Sequence, residues 1–335
     1  MEKDWLAEIE RAAGKLEFST FLLAVVLSTE VEEKLSEKER LAEKAKIKRE
    51  LGMALERKWK KKGRRVDFTK PEALFTVDLY RNRLITSLLP LFIYGRYLKP
   101  SREIPQSKWP CRECKGRGCP HCKGKGAMYT VTVEGIFAAP LLKATGATST
   151  KMHAAGREDV DARMLGSGRP FVLELAEPKK RRIDLKKMEK AINRAGKGKA
   201  GAIGLRFVGK EAVNTVKSVQ PAKTYQLDVE CGRAITPAGL AKVRKLAGKV
   251  LAQKTPERVL HRRPDLVRRR RILKLRVEQT DKKALRLTIT AEAGTYVKEL
   301  VSGDGGRTKP SVAGVLGCKC TPKNLDVTDV AFELK

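Results

Sequence analysis

The chain has 335 residues, with 72 Lys and Arg against 39 Asp and Glu (formal charge +33), 41% apolar residues and 5% aromatics. No apolar run approaches the ~20 residues of a membrane span, and the opening Met-Glu-Lys-Asp-Trp does not read as a secretory signal, so a cytoplasmic protein is expected. At roughly 100–200 residues per domain the length predicts two or three domains, and the charge asks for an anionic partner, nucleic acid first. A ribosomal or anionic-membrane partner would show the same composition.

Residues 1–62 read as helical: Ile47, Leu51, Leu55 and Trp59 recur every fourth residue between Lys and Arg. The basic run Lys60–Lys62, Arg64, Arg65 is equally a solvated helix end or a phosphate track. Strand-like patterns follow at 66–80, broken at Pro71, and at Leu88–Tyr94. Residues 1–95 are therefore expected to form a small α+β domain, and 96–335 a larger second domain. Residues 96–130 are loop-rich. Beyond them Phe171–Leu175 is strand-like. Asp184 can cap a helix with Leu185, Met188 and Ile192 on one face, ending near Gly196. Gly196–Gly204 reads as a flexible basic hinge. Tyr225, Leu227, Val229 and Cys231 alternate as on a half-buried strand. Pro237 suits the first turn of a helix carrying Leu240, Val243, Leu246 and Val250. Leu273, Leu275, Val277 and Leu285, Leu287, Ile289 form two strands of a hairpin turning at Gln279–Lys283. With no βαβ rhythm and no Gly-rich phosphate loop, the fold class is α+β with a mostly antiparallel mixed sheet.

The segment 109–126 contains Cys111-Arg-Glu-Cys114 and Cys119-Pro-His-Cys122, two CxxC pairs four residues apart. Each pair can form a knuckle aiming two thiolates at one ion, and two knuckles complete a tetrahedron. Four Cys leave no open coordination position, so a structural Zn²⁺ is expected rather than a catalytic one. His121 is a spare ligand. Four free thiols in so short a span would be the bland alternative. Two CxxCxGxG repeats also resemble the zinc region of DnaJ-type co-chaperones, which use four repeats and a His-Pro-Asp domain; this chain has two repeats and no His-Pro-Asp.

Three carboxylates, Glu158, Asp159 and Asp161, fall within four positions between Arg157 and Arg163. Taken alone they read as a surface loop laced with ion pairs, a helix N-terminus, or a Mg²⁺ site. The string GREDVDARMLGSGRPFVLEL (156–175) resembles the catalytic motif of pseudouridine synthases, and in detail the archaeal-type tRNA pseudouridine synthase 10 family. Further segments agree with that family in order: FIYGRYLKPSREIPQSKW (92–109), TYQLDVEC (224–231), QKTPERVLHRRPDLVRRR (253–270), AGTYVKELVSGDGGRTKPSVAGVLG (293–317) and LDVTDV (325–330). IKRELGMALERK and VDFTKPEALFTVDL upstream resemble the family's THUMP-containing accessory domain, which makes 1–95 a short THUMP-like module. By this resemblance 96–335 is the catalytic domain, Asp159 the catalytic carboxylate, Lys298 its cation, and Tyr225 the ring that stacks on an everted uridine. The resemblance implies isomerisation of uridine to pseudouridine in the TΨC arm of tRNA, at position 55 and also 54, by a monomer with no catalytic cofactor and no membrane partner. RNA contacts are expected from Arg157, Arg163, Arg258, His261, Arg262, Arg263, Arg268, Arg269, Tyr296 and Arg307, since so dense a charge cannot enter a core. The rival reading is a non-enzymatic zinc-containing RNA-binding or RNA-assembly protein. Cys231, Cys318 and Cys320 read as small buried hydrophobes.

Overall fold

The computed structural model describes residues 4–27 and 36–334. They divide into two compact units, each assembled from separate stretches of chain. The first takes the residues up to Phe92 with Ala138–Lys151 and Glu174–Met188; the second takes Ile93–Phe137, Met152–Leu173 and Glu189 onward.

In the first unit helix α1 (Trp5–Ala13) starts where the Asp4 side chain accepts from the Ala7 N–H. Strand β1 (Thr20–Val26) follows, then helix α2 (Glu37–Lys60), opened by a reciprocal Ser36–Glu39 capping box. Strands β2 (Arg65–Val66), β3 (Ala73–Asp78) and β4 (Arg83–Leu88) complete a sheet of order β2-β1-β3-β4. β1 runs parallel to both neighbours, whereas β3 and β4 are antiparallel. The continuous helical reading of 1–62 is corrected here. Thr20–Val26 is a run apolar on both faces, rich in β-branched residues at its end, and it pairs residue for residue with β3. Residues 28–35 of that reading lie outside the described residues. Trp59 from α2 packs edge-on against Phe21 at 4.7 Å and against Phe18 at 5.4 Å, with Phe75 5.6 Å away. This aromatic knot explains why the i, i+4 row of α2 ends on Trp59.

The second unit is organised by an eleven-stranded sheet. The elements after β4, several of which straddle the division between the units, are β5 (Leu91–Lys99), helix α3 (Val133–Thr145), β6 (Ser149–Ala154), β7 (Arg163–Ala176), α4 (Leu185–Gly196), β8 (Gly201–Val208), α5 (Glu211–Ser218) and β9 (Lys223–Cys231). Then come α6 (Pro237–Arg244), β10 (Val250–Lys254), β11 (Val267–Asp281), β12 (Ala284–Ala291), α7 (Val297–Ser302), β13 (Thr308–Lys309), α8 (Val312–Leu316), β14 (Cys320–Pro322) and β15 (Asp326–Val330). The strand order is β13-β10-β11-β12-β9-β15-β7-β5-β8, with β14 on β9 and β6 on β7. β9 is antiparallel to β12 and to β15, and β15 is parallel to β7. The fold is thus α+β with a mixed, mostly antiparallel sheet. No helix among the described residues is long and apolar enough to cross a membrane.

The hairpin forms as expected, with Asp281 paired to Ala284. Two expectations need correction. The Gly196–Gly204 hinge gives way to strand at Gly201, because the Asn193 amide clamps the Ala202 N–H and C=O at 2.7 and 3.0 Å. The helix opened by Pro237 stops at Arg244 instead of reaching Val250. Gly248, at φ +76, donates to the Ile272 carbonyl at 2.8 Å, drawing Val250 into the β10–β11 ladder.

Candidate active site and cysteine centre

The acidic triplet lies on the loop between β6 and β7, outside any helix. Gly156 opens it at φ +82; a Cβ there would meet the Arg169 guanidinium at 3.3 Å. The loop rests on buried polar groups. Along β5 the alternate positions Ile93, Gly95, Tyr97 and Lys99 face inward. The Tyr97 hydroxyl donates to Glu158 Oε2 at 2.7 Å, and Arg169 Nε donates to the same oxygen at 3.0 Å. Arg169 also donates to the Ala155 carbonyl, and Gln106 to the Gly156 carbonyl and the Tyr97 hydroxyl. Buried Lys99 donates to the Val160 carbonyl at 2.8 Å. The Arg169 and Glu158 side chains are 2% and 1% exposed. Burial pushes the Tyr97 phenol far above its usual range, and the adjacent Glu158 charge adds to that shift. Glu158 is therefore a support beneath the loop, facing away from solvent.

Asp159, by contrast, projects a 36%-exposed carboxylate. Its Oδ2 lies 3.1 Å from Arg258 Nη1 and 3.4 Å from Lys298 Nζ. Lys298 hydrogen-bonds both oxygens of Asp161, at 3.0 and 2.8 Å. Burial raises the Asp161 carboxyl, but the Lys298 ammonium outweighs it and holds it below its usual value. Arg258 Nε donates to buried Glu299 at 2.7 Å. Burial alone would lower the Arg258 guanidinium; Glu299 and Asp159 keep it above its usual value. Two carboxylates and two cations thus meet where α7, the turn Glu257–Arg262 and the triplet loop converge. Lys298 is held in register from below. The buried Gln253 amide accepts from the Tyr296 N–H at 3.0 Å and donates to the Tyr296 carbonyl at 2.9 Å, fixing the start of α7.

Tyr225 stands mid-sheet on β9, opposite Ile289 of β12 and Val327 of β15, and is 8% exposed. Burial pushes its phenol up, and the nearby Arg169 charge opposes this.

The basic residues separate into groups. Arg157 lies over the Trp109 ring at 5.4 Å. His261 and Arg263 are exposed, and Arg263 donates to the Tyr296 hydroxyl at 3.2 Å. The side chain of Arg262 lies outside the described residues. Arg268 and Arg269 are neighbours on β11 and so point to opposite faces of the sheet; Arg268 donates to Thr255 Oγ1 at 2.9 Å while Arg269 is exposed. Arg163 clasps Asp326 with two donors at 2.8 and 2.5 Å, and Arg307 ties the Thr255 carbonyl to Asp265. These two guanidiniums hold backbone and loops in place.

The four clustered cysteines converge. Sγ–Sγ distances are 3.9 Å (Cys111–Cys119), 3.8 Å (Cys114–Cys122) and 3.7 Å (Cys119–Cys122), and all four sulfurs lie within 4.8 Å of one another. A tetrahedron with metal–sulfur bonds of ~2.3 Å has edges of about 3.8 Å, so the donor set fits one ion. The Gly118 and Gly126 N–H groups point at Cys114 and Cys122 sulfur, at 3.1 and 3.2 Å. Burial raises the Cys122 thiol, but backbone N–H groups of Cys119 and Gly126 outweigh it and bring it to about 6. Gly126 must be glycine, since a Cβ there (φ +63) would sit 2.3 Å from the Gly116 carbonyl oxygen, while Gly116 is favoured as glycine by its backbone at φ +105. Cys231 and Cys320 face each other in the sheet, 3.6 Å apart and buried.

Residues 92–331 match the family model described as Pus10, C-terminal. The tRNA pseudouridine synthase Pus10 of Methanocaldococcus jannaschii is 44% identical over 261 residues, covering 78% of this chain and 57% of that protein. Its counterpart in Methanothrix thermoacetophila, also a tRNA pseudouridine synthase, is 42% identical over 288 residues, covering 86% and 63%. A crystal structure of a Cbf5-Nop10-Gar1 complex is similar at 15% identity and a TM-score of 0.36, covering 54% of this chain and 40% of that one. By sequence the chain falls with proteins named as tRNA pseudouridine synthases. Within that class it belongs to the Pus10 family, and it spans about three-fifths of the length of the two archaeal relatives.

Proposed function

We propose that this chain isomerises uridine to pseudouridine in tRNA, in the TΨC arm at position 55 and also at 54, with Asp159 as the group that attacks or deprotonates the everted nucleotide. The observation that carries the reading is the placement of Asp159: an accessible carboxylate on a rigidly supported loop, beside two cations, in a chain 44% identical to a tRNA pseudouridine synthase. The reaction breaks N1–C1′, turns the base and forms C5–C1′, with one proton leaving C5 and one returning to N1. Nothing is oxidised or reduced, and no cofactor is consumed. The target base must leave its stack to reach the carboxylate. Arg258 and Lys298 stand beside the carboxylate that must act as nucleophile or base. Tyr225 supplies the aromatic face against the base.

The Cys111, Cys114, Cys119 and Cys122 site holds a structural Zn²⁺, whose chemistry is to staple residues 109–126. Its four-sulfur donor set leaves no position for substrate. The enzyme works as a cytoplasmic monomer, and residues 1–95 serve as a short THUMP-like RNA-docking module, in keeping with the basic run at Lys60–Arg65. Incubating the protein with unmodified tRNA transcript and mapping products by carbodiimide chemistry tests the reading. Pseudouridine at 55 supports it. Tight tRNA binding with no pseudouridine anywhere would leave only an RNA-binding protein.

A further inference from the structure

We infer that Arg258 is a positioning residue for Asp159, anchored by the buried carboxylate of Glu299. This rests on the reading of the chain as a pseudouridine synthase. The basic stretch 253–270 suggests phosphate contact for every arginine in it, but Arg258 is built differently from its neighbours. Its Nε is committed to Glu299 Oε1 at 2.7 Å and its Nη1 to Asp159 Oδ2 at 3.1 Å. The Glu299 side chain is 5% exposed, and its second oxygen, Oε2, is buried with no hydrogen-bond partner among the described residues. A carboxylate placed there needs a compensating cation, because an unpaired buried charge is strongly unfavourable. Arg258 is the cation that meets it. The guanidinium is planar, so fixing Nε on one side fixes the direction of Nη1 on the other.

Lys298 is divided differently. Both of its hydrogen bonds go to Asp161, and it stands 3.4 Å from Asp159, farther than Arg258 does. The groups facing Asp159 are therefore Arg258 and Lys298, with Asp161 beside it on the loop and Glu299 behind Arg258. Glu299 and Lys298 are adjacent on α7, so one short helix supplies both the second cation and the anchor of the first. The turn carrying Arg258 is itself tied. Thr255 Oγ1 donates to the Pro264 carbonyl at 2.7 Å, and Arg307 donates to the Thr255 carbonyl at 2.9 Å.

The test compares wild type with Arg258→Gln, Glu299→Gln and the double variant Arg258→Gln/Glu299→Gln, each checked for folding by thermal melt. Single-turnover rate on unmodified tRNA transcript and tRNA affinity at several salt concentrations are measured for each. A positioning role predicts a rate loss of roughly 10–100-fold in every variant, with affinity within about twofold and the salt slope unchanged. It also predicts that the double variant loses no more than the worse single one, because both residues act through one contact. The double variant removes cation and carboxylate together, so it keeps the buried pocket neutral if Glu299→Gln alone folds poorly. Unchanged rates, with affinity weakened and a salt slope smaller by about one, would make Arg258 a phosphate contact and overturn the inference. A wild type that forms no pseudouridine would instead overturn the functional reading on which it rests.

Discussion

Replacing Arg169 by methionine removes a guanidinium that is 2% exposed from beside a carboxylate that is 1% exposed. The pair stands at 3.0 Å on Glu158 Oε2, which keeps only the Tyr97 hydroxyl when the guanidinium is gone, while Glu158 Oε1 has no hydrogen-bond partner among the described residues. Two unit charges at that separation attract by roughly 5 kcal/mol at an effective dielectric of ~20. Removing one partner from a buried pair typically destabilises by about 3–5 kcal/mol, since the remaining charge is stranded. The bond to the Ala155 carbonyl disappears as well. For a unit of this size each kcal/mol moves the melting temperature by about 2–4 °C, so a fall of roughly 6–20 °C is expected. The assay is thermal melting at pH 7 of four proteins: wild type, Arg169→Met, Glu158→Gln and the double variant. The double variant should recover most of the loss, because the stranded charge is gone. A loss below about 1 kcal/mol in Arg169→Met, or a double variant no better than that single one, would refute the reasoning. The same substitution should depress turnover beyond its effect on stability, because the loop presenting Asp159 loses its floor.

Three further outcomes are expected. Chelation, or Cys119→Ser, should release the 109–126 knuckle and shift Trp109 fluorescence, since the Trp109 carbonyl accepts from Met128 at 2.9 Å across the base of the knuckle; unchanged emission on complete metal removal would contradict this. Because Arg157 lies over the Trp109 ring, turnover should fall with the metal and return on adding Zn²⁺. Half-buried Lys223 is held at about 8 by burial, with the Arg169 charge adding to the shift. Its folded value lies below the unfolded one, so the unfolded chain binds more protons between pH 8 and about 10.4, and stability should rise with pH across that window. Lys223→Met should add about 1–2 kcal/mol at pH 7, allowing for partial exposure, and flatten the rise in a pH series of denaturant melts; a rise that persists in the variant would contradict the assignment. Binding of tRNA should weaken steeply with salt, and Arg263→Ala, at an exposed side chain, should reduce the log–log slope by about one; an unchanged slope would remove Arg263 from the RNA interface.

Much of this architecture is legible in the sequence where local pattern and tertiary burial agree. The alternation of Tyr225–Cys231 and of the 273–289 hairpin, the Asp184-led helix and the CxxC spacing all survive into the structure. The first strand is missed because Thr20–Val26 is apolar on both faces and so carries neither period. Arg244 ends its helix for a reason that lies 28 residues away, in the Ile272 carbonyl that captures Gly248. At the candidate site the four cysteines stand out by their spacing, whereas Asp159 and Lys298 are singled out only through the family resemblance of the segments that carry them. Their supports are missed: Tyr97, Lys99, Gln106, Arg169, Gln253 and Glu299 act from strands and turns distant in sequence. Some signal is available. Lys99 falls on the inward alternation of Ile93, Gly95 and Tyr97, where a lysine needs a buried partner. Glu299 has no such mark, since its burial depends on how α7 packs.

The most direct test is a single comparison: wild type and Asp159→Asn, at equal tRNA occupancy, with unmodified transcript under single-turnover conditions and pseudouridine counted by nucleoside chromatography. The account predicts stoichiometric pseudouridine from wild type and none from Asp159→Asn, with tRNA affinity unchanged to within about twofold. Product formed by Asp159→Asn at a rate near that of wild type would contradict it.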